Sequence, residues 1–241
     1  MTAKPEVKSP PRGERLIVAL DVPAAEDARR LVERLGDAAS FYKVGLEMLM
    51  SGGAFELIDW LKARGNKVFA DFKLFDVPET VAAAVRALAR HEVSFATVHG
   101  NQAIMEAAGK EKGSMKILAV TALTSLDRGD LDDLGFRCDV EELVLSRARR
   151  AFEAGCDGVI SSGLEAPALK RELGARLLVV TPGIRPVENR TADDQKRTVD
   201  VAQAFRNGAD YIVVGRPIRS AADPRAAALA IQRTIAEIFE S

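Results

Sequence analysis

Leu16-Ile17-Val18-Ala19-Leu20 is an unbroken apolar run closed by a charged residue, Asp21. A strand with one wet face alternates apolar and polar side chains. A run without alternation is buried on both faces, as in a parallel sheet covered by helices. Comparable apolar or β-branched runs follow at Phe41–Val44, Lys67–Ala70, Phe95–His99, Met115–Val120, Gly158–Ile160, Leu177–Val180 and Tyr211–Val214. Longer segments with helical periodicity lie between them. Ala28, Leu31, Val32 and Leu35 fall at i, i+3, i+4 and i+7, and Ala227, Ala230, Ile231, Thr234 and Ile238 approximate the same stripe.

The punctuation agrees. Gly36, Gly65, Gly155, Gly174 and Gly208 each follow a helical segment and precede a strand run, where a helix end favours the left-handed conformation. Asp223-Pro224 offers a cap and a first-turn proline to the last helix. Eight strand–helix repeats in 241 residues predict an α/β fold, a single (β/α)8 TIM barrel. An open doubly wound sheet is the alternative, but no Gly-x-Gly-x-x-Gly follows the first strand. Residues 1–14, rich in Pro and Lys and without a signal peptide's apolar stretch, read as a flexible tail, and 15–241 as one catalytic barrel domain.

Composition excludes several classes. Asp and Glu number 35 against 34 Lys and Arg, so a net charge of −1 gives no broad field for nucleic acid or an anionic membrane. No apolar run approaches the roughly 18 residues of a membrane helix. Cys138 and Cys156 make neither a disulfide framework nor a metal spacing, which suits a reduced, cytoplasmic setting.

In such a barrel, chemistry collects where strands end and βα loops begin. Charged residues are few there: Asp21 after strand one, Lys43 in strand two, then Asp71, Lys73 and Asp76 in Asp-Phe-Lys-Leu-Phe-Asp, and Arg216 after strand eight. A lysine inside a short strand is costly to bury unless paired, and Asp71 on the next strand is the obvious partner. Asp71 and Lys73 share strand parity, so extended geometry would aim both at the barrel mouth. Each residue also has a plainer reading: Asp76 and Asp21 as helix caps, Lys43–Asp71 as a structural ion pair, Arg216 as a surface arginine. Their concentration at adjacent strand ends favours a site. Gly215-Arg216 suits a phosphate, with backbone N–H groups and a guanidinium in the position where these barrels bind one. The polar segment from Thr181 to Gln195 is long for a βα loop, and its Arg185, Arg190 and Gln195 could close over an anion. His91 reads as a solvated helix end, and His99 lacks a second histidine at metal spacing.

Asp71-Phe-Lys-Leu-Phe-Asp-Val-Pro-Glu-Thr80 resembles the signature of the orotidine 5′-phosphate decarboxylase family. So do Leu-Asp21-Val, Lys43-Val-Gly, Leu-Thr124-Ser, Thr-Pro-Gly-Ile-Arg185, Asp-Asp-Gln195 and Val-Val-Gly215-Arg216, in the family's order from residue 20 to 216. The resemblance implies decarboxylation of orotidine 5′-monophosphate without a cofactor or metal. Lys73 would donate a proton to C6, with Lys43, Asp71 and Asp76 completing the charged network. Asp21 would bind ribose hydroxyls, Thr124 the pyrimidine, and Arg185, Gln195, Gly215 and Arg216 the phosphate side. Asp76 and Thr80 would serve the neighbouring site of a homodimer. One departure is Phe75, where the family pattern often has His. Two rivals remain: a Mg²⁺-dependent sugar-phosphate barrel sharing Asp-x-Lys-x-x-Asp, and a catalytically silent scaffold barrel.

Overall fold

The computed structural model describes residues 9–185 and 198–240. Among them, β1 (Leu16–Ala19), β2 (Phe41–Gly45), β3 (Lys67–Leu74), β4 (Phe95–His99), β5 (Lys116–Val120), β6 (Gly158–Ile160), β7 (Leu178–Thr181) and β8 (Tyr211–Val214) form a closed barrel in chain order. All neighbouring strands are parallel, and Leu16–Val18 of β1 pair with Ile212–Val214 of β8 to close it. The expected barrel is the observed one.

Around it lie α1 (Ala25–Leu35), α2 (Leu46–Met50), α3 (Ala54–Ala63), α4 (Pro78–Arg90), α5 (Gln102–Glu111), α6 (Arg128–Asp133), α7 (Val140–Glu153), α8 (Ala166–Leu173), α9 (Val201–Arg206), α10 (Arg216–Arg219) and α11 (Pro224–Phe239). The stripe predicted on α1 is the face it buries. On α11 the buried positions are Pro224, Ala228, Ile231 and Ile235, so the expected stripe keeps Ile231 and is otherwise displaced around the helix. Asp223 caps α11, accepting from the Ala226 N–H at 3.0 Å. Gly36 ends α1 at φ +53°, a conformation that costs an L-residue about 1–2 kcal/mol. No helix among the described residues is long and apolar enough to cross a membrane.

Alternation along each strand separates two cores. Outward residues such as Leu16, Val18 and Leu20 pack under the helices. Inward residues fill the barrel: Ile17, Ala19, Phe41, Phe69, Phe95, Leu118, Val120, Ile160, Leu178, Val180, Tyr211 and Val213. Phe41, Phe95 and Tyr211 meet edge to face at centroid distances of 5.0, 5.9 and 5.1 Å. They form an aromatic floor. One inward step further along β2, β3 and β4 come Lys43, Asp71 and Thr97, so the floor sets the depth at which polar groups begin.

Within the segment read as a flexible tail, residues 9–14 are described and make defined contacts. Residues 12–14 form a 3₁₀ turn beneath the barrel, Glu14 pairs with Lys67, and Arg12 donates to the Phe239 carbonyl. Arg15 donates to Ser9 Oγ at 2.7 Å. Residues 1–8 lie outside the described part. These contacts were invisible in the sequence because a polar, proline-containing segment gives no periodic signal.

β3 runs four residues beyond the expected Lys67–Ala70, and it is irregular there. Ala70 pairs with Ala96 and Leu74 with Val98, so three residues of β3 face the single Thr97 of β4. Lys73, within this bulge, has φ +50°.

Candidate active site

The mouth of the barrel opens into a cavity of about 440 Å³, lined by Asp21, Lys43, Asp71, Lys73, Thr124, Arg185, Gly215 and Arg216 among others. That volume lies within the roughly 300–1,000 Å³ usual for small-molecule sites. Eight of the twelve candidate site residues singled out in the sequence therefore share one chamber. Gln195 lies outside the described residues, as does Arg190.

The charged residues form a chain of alternating sign. Lys43 Nζ donates to Asp21 Oδ1 at 2.8 Å and lies 3.5 Å from Asp71 Oδ2. Lys73 Nζ lies 3.0 Å from both oxygens of Asp71. Side-chain exposure is 10% for Lys43, 12% for Asp71 and 36% for Lys73, so the first pair is structural in depth while Lys73 reaches open space. Burial works against the charge on Lys43, but Asp71 and Asp21 outweigh it and hold its pKa above the ordinary value. Burial likewise favours the neutral acid at Asp71. Lys43, Lys73 and a hydrogen bond from Thr97 outweigh it and hold the carboxyl below the usual range. Both partners stay charged.

Gly45 makes room for this array. A Cβ there would stand 2.8 Å from Lys43 Nζ and 2.9 Å from Asp21 Oδ1. The expectation that extended geometry aims Lys73 and Asp71 the same way is corrected. Their side chains do meet, but through the left-handed turn at Lys73 rather than through strand parity.

The opposite wall is cationic. Gly215 precedes α10, which begins at Arg216-Pro217, and Arg185 follows the isolated bridge between Ile184 and Val199. The Arg185 N–H donates to the Val199 carbonyl at 3.0 Å. Arginines on one side, with an acid–base chain on the other, suit a substrate with a phosphate at one end and a reacting carbon at the other.

Asp76 and Thr80 do not line the chamber. Both are exposed, on the loop after β3 and the first turn of α4. The alternative reading of Asp76 as a helix cap does not hold: Val77 occupies the N-cap, and Asp76 Oδ1 accepts from the Val77 N–H at 2.6 Å. Pro78 fixes the helix start one residue later than a cap at Asp76 requires. Asp21 does not cap α1 either, whose N-cap is Ala24. His91 ends α4 as expected but is paired, with Nδ1 2.7 Å from Asp59 Oδ1. His99 packs on Phe75 at a centroid distance of 4.6 Å, and burial, with Arg147 and Lys73 nearby, keeps its pKa low.

Sequence reading missed Glu47 and Arg219, which also line the chamber, and Thr97 behind Asp71. Thr97 carried a usable signal. It is a polar residue at the inward parity of Phe95 in a strand that is otherwise apolar up to His99, the argument that singled out Lys43.

Known proteins resemble this chain along nearly its whole length. The family model described as "Orotidine 5'-phosphate decarboxylase / HUMPS family" matches residues 14–231. An orotidine 5′-phosphate decarboxylase of Methylococcus capsulatus is 69% identical over 229 residues, covering 95% of each chain. One from Stenotrophomonas maltophilia is 52% identical over 225 residues, covering 92% of this chain and 93% of the relative. The crystal structure of orotidine 5′-phosphate decarboxylase from Lactobacillus acidophilus superposes with a TM-score of 0.81 at 35% identity, covering 92% of this chain and 99% of that one.

Proposed function

The chain belongs to the orotidine 5′-phosphate decarboxylase / HUMPS family, and on that premise we propose that it converts orotidine 5′-monophosphate to uridine 5′-monophosphate without a cofactor. This would be the last step of de novo UMP synthesis, in a cytoplasmic setting. The observation that carries the reading is the Asp21–Lys43–Asp71–Lys73 chain facing the arginine wall across one chamber.

The chemistry follows from the charges. The bond from C6 to the carboxylate breaks, CO₂ departs, and the electron pair stays on C6. A ring carbanion there has poor resonance help. The Lys73 ammonium stabilises it and then donates a proton to form the C6–H bond. Asp71, held ionised by two lysines, sets a negative charge against the substrate carboxylate, a repulsion relieved as CO₂ leaves. One charge pair at about 4 Å contributes roughly 4 kcal/mol at an effective dielectric near 20, whereas enzymes lower barriers by about 8–23 kcal/mol. Binding of the remote phosphate must supply part of the difference by organising the site. Asp21 would hold ribose hydroxyls, Thr124 the pyrimidine, and Arg185, Gln195, Gly215 and Arg216 the phosphate side.

A metal-dependent reaction of the sugar-phosphate type needs carboxylate oxygens free for a cation. Both oxygens of Asp71 already take Lys73 Nζ, and Oδ1 also accepts from Thr97 at 3.0 Å. Decarboxylation should therefore persist after exhaustive chelation, followed as loss of orotidine 5′-monophosphate absorbance with and without EDTA. Activity lost with EDTA and restored by Mg²⁺ would favour the metal-dependent chemistry. No turnover in either arm would favour a silent scaffold.

Arg216 should act through the phosphate. Losing two charge-assisted hydrogen bonds of about 1.5–3 kcal/mol each lowers kcat/KM by on the order of 10²–10⁴. Arg216→Ala should show that loss on the nucleotide and little change on the phosphate-free nucleoside; equal losses on both would place it elsewhere.

A homodimer with shared sites completes the reading. Asp76 and Thr80 are exposed and do not line their own chamber, and Asp76 sits between Phe75 and Val77, which are 63% and 62% exposed. Such an apolar, acidic loop is suited to a second copy of the chain, where Asp76 of the partner subunit would join Lys73.

A further inference from the structure

Lys73 owes its position to a bulge that the strand ladder does not hold. Between the pairs Ala70–Ala96 and Leu74–Val98, Asp71, Phe72 and Lys73 of β3 stand opposite Thr97 alone. A buried backbone N–H without a ladder partner must find another acceptor. The N–H of Lys73 donates to Thr97 Oγ1 at 2.9 Å, and that hydroxyl donates its own proton to Asp71 Oδ1 at 3.0 Å. Thr97 is fully buried, so its hydroxyl has no water to turn to in place of these two partners. A hydroxyl has one proton and two lone pairs, so it can serve both bonds together. Valine has the same shape and can serve neither.

We infer that Thr97 is a positioning residue for the reaction proposed above: its hydroxyl replaces the missing ladder bond, keeps Lys73 in its left-handed turn, and orients the carboxylate beneath the Lys73 ammonium. It touches no substrate. The effect reaches C6 only through the two residues that it aligns. Its bond to Asp71 also favours the ionised carboxyl, so its loss moves the acid limb of kcat/KM towards higher pH.

The test compares Thr97→Val, Thr97→Ser and the parent. Thr97→Val should lose roughly 10- to 100-fold in kcat, the range of a hydrogen bond to a charged group. KM for the nucleotide and Kd for UMP should stay within about threefold, because the phosphate side is untouched. Thr97→Ser, which restores the hydroxyl without the methyl, should recover most of kcat. A Val variant with parental kcat overturns the proposal, as do Val and Ser variants impaired alike, which would place the effect in the methyl's packing. Should Val fail to fold, Thr97→Ala takes its place; if neither folds while Ser does, the hydroxyl serves the fold and the proposal fails. A crystal structure of the Val variant gives a readout independent of turnover. Lys73 retaining positive φ with Nζ on both Asp71 oxygens overturns the proposal even if the parent protein does not decarboxylate this nucleotide. That last result on the parent would count against the proposed function instead.

Discussion

Lys73→Ala should abolish measurable decarboxylation while leaving a folded barrel. The loss should be at least on the order of 10⁴-fold in kcat, because the substitution removes a proton donor, worth about 10²–10⁴, and a charge aimed at the developing carbanion, worth about 10²–10³. The fold should survive for a reason visible in the ion chain. Lys73 is the more exposed of the two lysines on Asp71, and Lys43 remains 3.5 Å from that carboxylate after its removal. Lys43→Ala differs. It removes the cation buried between two carboxylates, and breaking such a pair commonly costs about 3–5 kcal/mol in stability. Circular dichroism and single-turnover kinetics on the Lys73 variant decide the matter. Parental kcat with an unchanged spectrum would mean that the proton comes from another group.

Mixing two inactive variants should restore activity if sites are shared between subunits. Lys73→Ala and Asp76→Ala homodimers should each be crippled. In a mixed dimer, one site carries both lesions and the other carries neither. Random exchange makes half of the dimers mixed, each with one intact site of two, so recovery should approach about a quarter of parental activity. Turnover is followed as subunits exchange, with exchange verified by mass-tagged protomers. Full exchange without recovery would place Asp76 in the service of its own chain or of neither site.

Much of this was written in the strands. Leu16–Leu20 and its successors lack alternation because helices cover one side and the barrel interior the other, and that burial is a property of sequence alone. Lys43 was legible for the same reason, since a charge in such a run requires a partner. The bulge in β3 was not. Asp-Phe-Lys-Leu contains no glycine to mark a left-handed turn, and the turn is imposed by a hydroxyl on another strand, 24 residues away from Lys73. The plainer reading of Asp76 as a cap fails although Asp is a good cap in isolation, because Pro78 fixes where α4 begins. Arg219 escaped notice because a second arginine in a four-residue helix looks like surface until the barrel curls it over the chamber.

The aromatic floor makes the barrel a blind well. Phe41, Phe69, Phe95 and Tyr211 fill the space beneath Lys43 and Asp71, and the 3₁₀ turn before β1 lies under them. Among the described residues that floor is buried side chain, which leaves the barrel mouth as the opening to the ion chain. On the proposed mechanism, an amine at Lys73 that has given its proton to C6 must recover one through the opening by which the nucleotide leaves. Recharging the acid and emptying the chamber thus use one door, and slowing that door should slow both. In a solvent isotope experiment, the deuterium found at C6 would report the proton that entered at the previous opening.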